Sequence, residues 1–207
     1  MPTMSMNKVI HAAVRRDLDR FAVGLDDFRE GDAARAAALA RAWANFDAML
    51  TDHHEGEHAI AWPHLERAGV PRELLDRMDA EHEVMAEGMA GARTAMAELA
   101  SRPTREQAAA ARSAMETLRT ATVQHLDHEE SEIEAFYLAN DEHPEIRAMA
   151  QEFRKQSPQV AGRFLAWLTD GIAPEARSAI PVPGPVLAVL TGIFGRGYRR
   201  EVAPVWR

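Results

Sequence analysis

Apolar residues recur at alternating steps of three and four along four long stretches of the chain, with short breaks between the stretches. This spacing places the apolar side chains on one face of an α-helix, and the sequence contains no runs of alternating β-branched residues that would predict strands. The breaks fall at residues 30–32, 68–71, 101–104 and 140–144. The pattern therefore predicts an all-α protein whose residues 1–140 form an antiparallel up-down four-helix bundle.

Residues 141–207 are expected to form a C-terminal helical extension that packs on the bundle. A fifth helix is predicted from about Pro144 to Leu168, broken or capped near Ser157-Pro158. The remaining segment is rich in proline and glycine, then apolar, and finally basic. The basic residues are interpreted as a solvated helix face, with contact to a membrane or an anionic partner as the alternative: Arg196, Arg199 and Arg200.

Composition excludes several classes of function. The chain has 207 residues and no cysteine, so disulfides, zinc–cysteine sites, iron–sulfur clusters and thiol chemistry are ruled out. A formal charge of −8 argues against a nucleic-acid binder. We expect no membrane span and, since no targeting signal is visible, a cytoplasmic location. Dinucleotide fingerprints, P-loops and nucleophile elbows are also missing from the sequence, so no catalytic or organic-cofactor residues are predicted.

Histidines and glutamates interrupt the apolar positions in all four predicted helices. Two helices carry a histidine followed four residues later by a glutamate, and the other two carry a single histidine. Side chains four residues apart lie on the same face of a helix. The residues are His11; His53 and Glu57; His82; and His125 and Glu129.

These six residues are expected to meet at one level of the bundle. The step from His11 to His53 is 42 residues and that from His82 to His125 is 43, so the chain resembles a duplicated two-helix unit. Counted from the predicted turns, all six lie within roughly one helical turn of the same depth. Buried carboxylates without partners are costly, whereas a pair of divalent cations would satisfy them. Imidazole and carboxylate ligands suit iron, and also manganese or zinc.

The ordered pattern of His11, His53-x-x-x-Glu57, His82 and His125-x-x-x-Glu129 resembles that of hemerythrin-like (HHE cation-binding) proteins. The supporting segments are LTDHHEGEHAIAWPHL and VQHLDHEESEIEAF, and the resemblance covers about residues 7 to 138. It implies two non-haem iron ions, with terminal histidines and with Glu57 and Glu129 as bridges. Glu130, five residues after His125, is the alternative to Glu129 as the bridging carboxylate.

One departure from the family affects the expected chemistry. Oxygen-carrying hemerythrins supply two histidines four apart from the third helix, whereas His82 has Met78 and Ala86 at those positions. The predicted set then has one nitrogen ligand fewer, which favours a more open site and slow, catalase-like or peroxidase-like turnover of peroxide. His54 and His58 are interpreted as lying on a solvated face, His64 as too distant, and His143 as a loop or cap residue. His128 is interpreted as a surface residue, with support of His125 from one turn away as the alternative.

The resemblance implies a protein that binds or reduces a small oxygen species, namely peroxide, O2 or NO. The alternatives are a non-catalytic oxygen or nitric oxide sensor and an iron-binding or storage protein. A structural site for a redox-inert ion such as zinc is a third hypothesis.

Overall fold

The computed structural model describes residues 4–207, and every regular element in this range is helical, so the protein is all-α. Four helices are long, and they correspond to the four apolar stretches: α1 (Met6–Asp26), α2 (Ala33–Gly56), α4 (Arg72–Ser101) and α5 (Arg105–Ala139). A π-helical turn (Glu57–Ala61) continues α2 into the short α3 (Trp62–Arg67). In this part of the chain, no helix is both long and apolar enough to cross a membrane.

The breaks between the long helices contain residues that stop one helix and start the next. Asp32, predicted as an N-cap, accepts a hydrogen bond from the backbone N–H of Arg35, and Thr104 caps α5 in the same way. Gly31 and Gly69 have positive φ angles of 79° and 104°, which side chains disfavour and glycine adopts freely. Local chemistry therefore sets the lengths of the four long helices.

The long helices pack side by side, α1 against α5, α5 against α4, α4 against α2, and α2 against α1. Ion pairs between α1 and α5 occur in opposite order along the two helices: Arg15 with Asp127, Asp19 with Arg119, and Asp26 with Arg112. The apolar stripes face inward, and aromatic rings from α1 and α2 fill the core between them. Phe21 and Phe46 are almost completely buried, and both pack on the larger ring of Trp43.

The C-terminal segment consists of short helices, and the predicted fifth helix is divided where the sequence indicated. α6 (Pro144–Phe153) ends before Ser157, which caps α7 (Pro158–Leu168). The remaining elements are α8 (Pro174–Ser178), α9 (Gly184–Val189), a second π-helical turn (Leu190–Phe194), α10 (Arg196–Glu201) and a 3-10 turn (Ala203–Trp206).

A buried hydrogen bond joins this segment to α1. The indole N–H of Trp167 donates to Asp17 Oδ2 at 2.8 Å, and both side chains are almost inaccessible to solvent. The hydroxyl of Tyr198 donates to Asp170 at 2.9 Å, which ties α10 to the end of α7. Leu165, Leu168 and Val202 lie in the same apolar cluster as the core of α1 and α2.

Candidate metal centre

The structure brings together all six residues that the sequence singled out. They come from α1, the last turn of α2, the π-helical turn, α4 and α5, and their side chains are buried or nearly so. Two groups of side-chain atoms form, and within each group the atoms lie within 4.8 Å of one another. One group contains His11, His53, Glu57 and Glu129, and the other contains His54, Glu57, His82 and His125.

Glu57 belongs to both groups, and each of its oxygens faces a different one. Oε1 lies 3.2 Å from Nε2 of His53, whereas Oε2 lies 3.4 Å from Nε2 of His82. A carboxylate whose two oxygens point towards separate sets of nitrogen atoms has the arrangement required to bridge two ions. Glu129 is placed in one group, but its Oε2 is only 3.9 Å from Nε2 of His125 in the other.

Six buried polar atoms of the cluster lack hydrogen-bond partners within the protein. Nε2 of His11, His53 and His54 has no hydrogen-bond partner, and the same holds for both oxygens of Glu57 and for Oε2 of Glu129. Unsatisfied buried groups are rare because each costs about 1–3 kcal/mol. Atoms that are buried, unsatisfied and directed at common points fit metal ions well, and nitrogen with carboxylate oxygen is a donor set that iron accepts.

His54 is the residue that the sequence analysis misjudged, because it lies in the cluster and not on a solvated face. Its ring stacks on that of His82 with centroids 4.2 Å apart, and its Nε2 is buried. Successive residues of a helix are rotated by about 100° around its axis. Viewed along that axis, Glu57 lies between the two histidines, about 40° from His53 and about 60° from His54. Both neighbours therefore face the core, one on each side of the shared carboxylate.

His54 also changes the count of nitrogen donors. With it, the two groups contain five imidazoles and two carboxylates, one nitrogen donor more than the sequence analysis counted. Helix α4 supplies only His82, whereas α2 supplies two adjacent histidines. The signal was present as the His-His-x-x-Glu spacing over residues 53–57.

The π-helical turn directly follows the ligand-bearing part of α2. The backbone N–H of Trp62 bonds to the carbonyl of Glu57, five residues back, instead of four. Pro63 comes next, and a proline inside a regular helix loses a hydrogen bond and clashes with the preceding turn, so a widened turn accommodates it. The indole of Trp62 donates to Asp79 at 2.7 Å and its ring lies parallel to that of His82.

Side chains that lie outside the two groups of candidate ligands fix the orientation of those ligands. Nδ1 of His11 lies 3.1 Å from Glu130 and Nδ1 of His125 lies 2.9 Å from Glu81, so an N–H donated there leaves each Nε2 free to bind a metal. The side-chain amide of Asn7 donates to Glu129 Oε1 at 2.8 Å. Sequence reasoning did not identify Asn7 or Glu81, because neither lies on an apolar stripe.

Glu130, the rival to Glu129, lies outside both groups. Its side chain is partly exposed and contacts Arg15 and Lys8 as well as His11. The guanidinium of Arg15 and the hydrogen bond with His11 outweigh the effect of burial and hold the pKa of Glu130 near 2. The structure therefore places Glu129 among the candidate ligands and Glu130 behind His11.

Burial controls the protonation of most of the cluster. It lowers the pKa of His53 and His54 well below the ordinary value and that of His82 to about 3, so these imidazoles are neutral at physiological pH. Burial and the nearby charge of Glu129 raise the pKa of Glu57 well above its usual range. At His11, burial lowers the pKa, but the neighbouring carboxylates of Glu129 and Glu130 outweigh this effect and raise the pKa above its ordinary value.

The remaining histidines lie outside both groups. His58 is largely exposed and contacts Asp79, and His143 caps α6, as expected for a cap residue. His128 is partly exposed but contacts Glu81, which in turn contacts a candidate ligand. His64 is buried between two carboxylates of α6: Glu145 and Glu152.

The fold and the cluster together define a helical protein with two adjoining groups of buried histidine and carboxylate side chains, whose atoms are suited to binding metal. The family model for the hemerythrin HHE cation binding domain matches residues 7–137, so the chain belongs to that family, as the resemblance in its sequence predicted. Comparisons with curated proteins and with solved structures found no match.

Proposed function

We propose that this chain is a cytoplasmic protein that holds two iron ions and reversibly binds a small oxygen species, O2 or NO. The observation that carries the proposal is the sharing of Glu57 between two groups of ligand atoms. The ions would be held by the five histidines of the two groups, with Glu57 and Glu129 as bridging carboxylates. The ligands converge on two places, which suits a fixed pair of ions better than an iron store.

We also propose how the helices are arranged and how the chain divides into two parts. Residues 1–140 would form an antiparallel up-down four-helix bundle, and residues 141–207 a helical extension packed against α1. The antiparallel ion pairs between α1 and α5 support the first part. The buried bond from Trp167 to Asp17 supports the second.

The number of nitrogen donors favours binding over turnover. Peroxide disproportionation was expected because one nitrogen ligand was thought to be missing, but His54 would supply a fifth imidazole. More protein ligands leave fewer exchangeable positions for water or peroxide. When bound, the iron pair would supply electrons and an open coordination position to the oxygen species.

The protein's own residues would hold and shield the site. Neutral imidazoles of His53, His54 and His82 are ready to donate lone pairs without first losing a proton. Glu57 would lose its proton when the site is filled, since a carboxylate and not a carboxylic acid bridges cations. Met78 and Met85, one turn on either side of His82, are fully buried and would help to shield it from water.

Optical spectroscopy of reconstituted protein tests this proposal. Protein loaded anaerobically with Fe²⁺ is expected to change its visible absorption on exposure to O2 or NO and to recover when the gas is removed. Added peroxide should be consumed no faster than in buffer containing the same iron. Continuous peroxide consumption without a reversible spectral change would refute binding and support turnover.

Two histidine variants make the test specific. His54→Ala recreates the four-histidine set and is expected to lose the reversible spectrum and to gain reaction with peroxide. His58→Ala removes an exposed imidazole four residues further along and should behave as the parent protein. Identical behaviour of the two variants would show that His54 does not take part.

A further inference from the structure

The segment from Ala179 to Gly195 exposes apolar side chains without any charged residue. It contains 17 residues and includes α9 and the second π-helical turn. Six large apolar side chains are exposed in the described part of the chain, and three of them lie here, with 48%, 53% and 49% of their surface accessible: Val186, Val189 and Ile193. A concentration of exposed apolar surface marks an interaction site more often than scattered residues do.

The three exposed residues share one side of the segment. They are separated by steps of three and four, which keep side chains on a single helical face. The opposite side packs inward, with Leu187 buried and Phe194 against Gly162 of α7. The segment is thus held on the protein by one face while the other, the C-terminal apolar surface (Val186, Val189 and Ile193), points to solvent.

Arginines border this surface and are anchored beside it. Nε of Arg196 donates to the carbonyl of Ile193 at 3.0 Å, and the guanidinium of Arg199 donates to the carbonyl of Gly192 at 2.7 Å. Arg200, the next residue on α10, forms an ion pair with Glu201, so the positive charge beside the surface comes from Arg196 and Arg199. In a chain with a formal charge of −8, this segment is a local concentration of positive charge.

We propose that the C-terminal apolar surface and its arginines bind the surface of an anionic lipid bilayer. Valine and isoleucine side chains would enter the boundary between headgroups and acyl chains, and the guanidiniums would contact lipid phosphates. A second copy of the chain is a poorer occupant, because self-association through this surface brings arginines of like charge together. The proposal is independent of the metal centre, which lies among α1, α2, α4 and α5.

Co-sedimentation with lipid vesicles tests the proposal on the full chain. The protein is expected to sediment with vesicles of phosphatidylcholine and phosphatidylglycerol in equal parts, and much less with phosphatidylcholine alone. Val189→Ser combined with Ile193→Ser should weaken binding by at least about ten-fold, since two apolar side chains no longer enter the bilayer. Arg199→Ala should weaken it about five-fold, the effect of roughly 1 kcal/mol per basic residue.

A matched control uses the exposed valines of α1 and α4. Val23→Ser combined with Val84→Ser removes equally exposed apolar side chains elsewhere and should leave vesicle binding unchanged. Failure to sediment with anionic vesicles overturns the proposal, and so does equal loss in the control. If light scattering instead shows a dimer that the Val189 and Ile193 substitutions dissociate, the surface binds a second copy and the membrane proposal is wrong.

Discussion

Replacing Glu57 with leucine should stabilise the metal-free protein while abolishing its response to iron. Both oxygens of Glu57 are buried without hydrogen-bond partners, and such a group costs about 1–3 kcal/mol. Leucine has a similar size and needs no partner, so the free energy of unfolding should rise by about 2 kcal/mol. For a chain of this size, each kcal/mol shifts Tm by roughly 2–4 °C, which gives an increase of about 4–8 °C.

The order of stabilities should reverse when iron is added. A ligand present at about 100 times its Kd stabilises the folded state by about 2.7 kcal/mol. The parent protein should gain that amount or more, whereas Glu57→Leu should gain nothing. Thermal unfolding followed by circular dichroism, with chelator and with anaerobic Fe²⁺, measures both effects.

A substitution at a neighbouring residue distinguishes the effect of losing the buried carboxylate from a general effect of adding leucine. Glu55→Leu changes an exposed carboxylate two residues away and should alter stability by no more than about 0.5 kcal/mol in either condition. The reasoning fails if Glu57→Leu melts below the parent protein in chelator. It also fails if iron still raises the melting temperature of the variant.

Two other predictions concern residues that support the site and the extension. Glu81→Gln removes the carboxylate beside Nδ1 of His125 and should weaken iron binding about 10–100-fold in a competition titration with a chelator, with little change in the melting temperature of metal-free protein. Gly162→Ala should lower Tm, because its Cβ would lie 2.3 Å from Cβ of Phe194. Gly91→Ala, in the middle of α4 with nothing close to its Cβ position, should raise Tm slightly. Equal shifts of Tm in calorimetry would contradict this packing.

Much of the fold could be predicted because it depends on local chemistry. The spacing of apolar residues indicated the four long helices, and Asp32 and Ser157 indicated where α2 and α7 begin. The course of the chain after Ser178 was not predictable in detail. Its short helices are determined by packing on α2 and α7, through contacts such as Phe194 with Gly162, and not by a periodic pattern.

The candidate site was predictable only where its residues replace apolar ones on a stripe. His11, His53 and Glu57 were found in this way, as were their counterparts on α4 and α5. His54 lies about 100° from His53 on the helix, so a search for one narrow stripe assigns it to solvent. A carboxylate shared between two groups needs nitrogen donors on both of its sides, and the adjacent histidines His53 and His54 provide them. This requirement becomes visible only in the three-dimensional arrangement of the cluster.

The iron content of the protein tests the central claim most directly. Elemental analysis after anaerobic reconstitution and removal of loosely bound metal should give about two iron ions per chain, one for each group of ligands that share Glu57. His54→Ala should hold its two ions more weakly, so that a chelator removes them more readily, and Glu57→Leu should retain none. One tightly held zinc and no iron in the parent protein, or two iron ions in Glu57→Leu, would contradict the account.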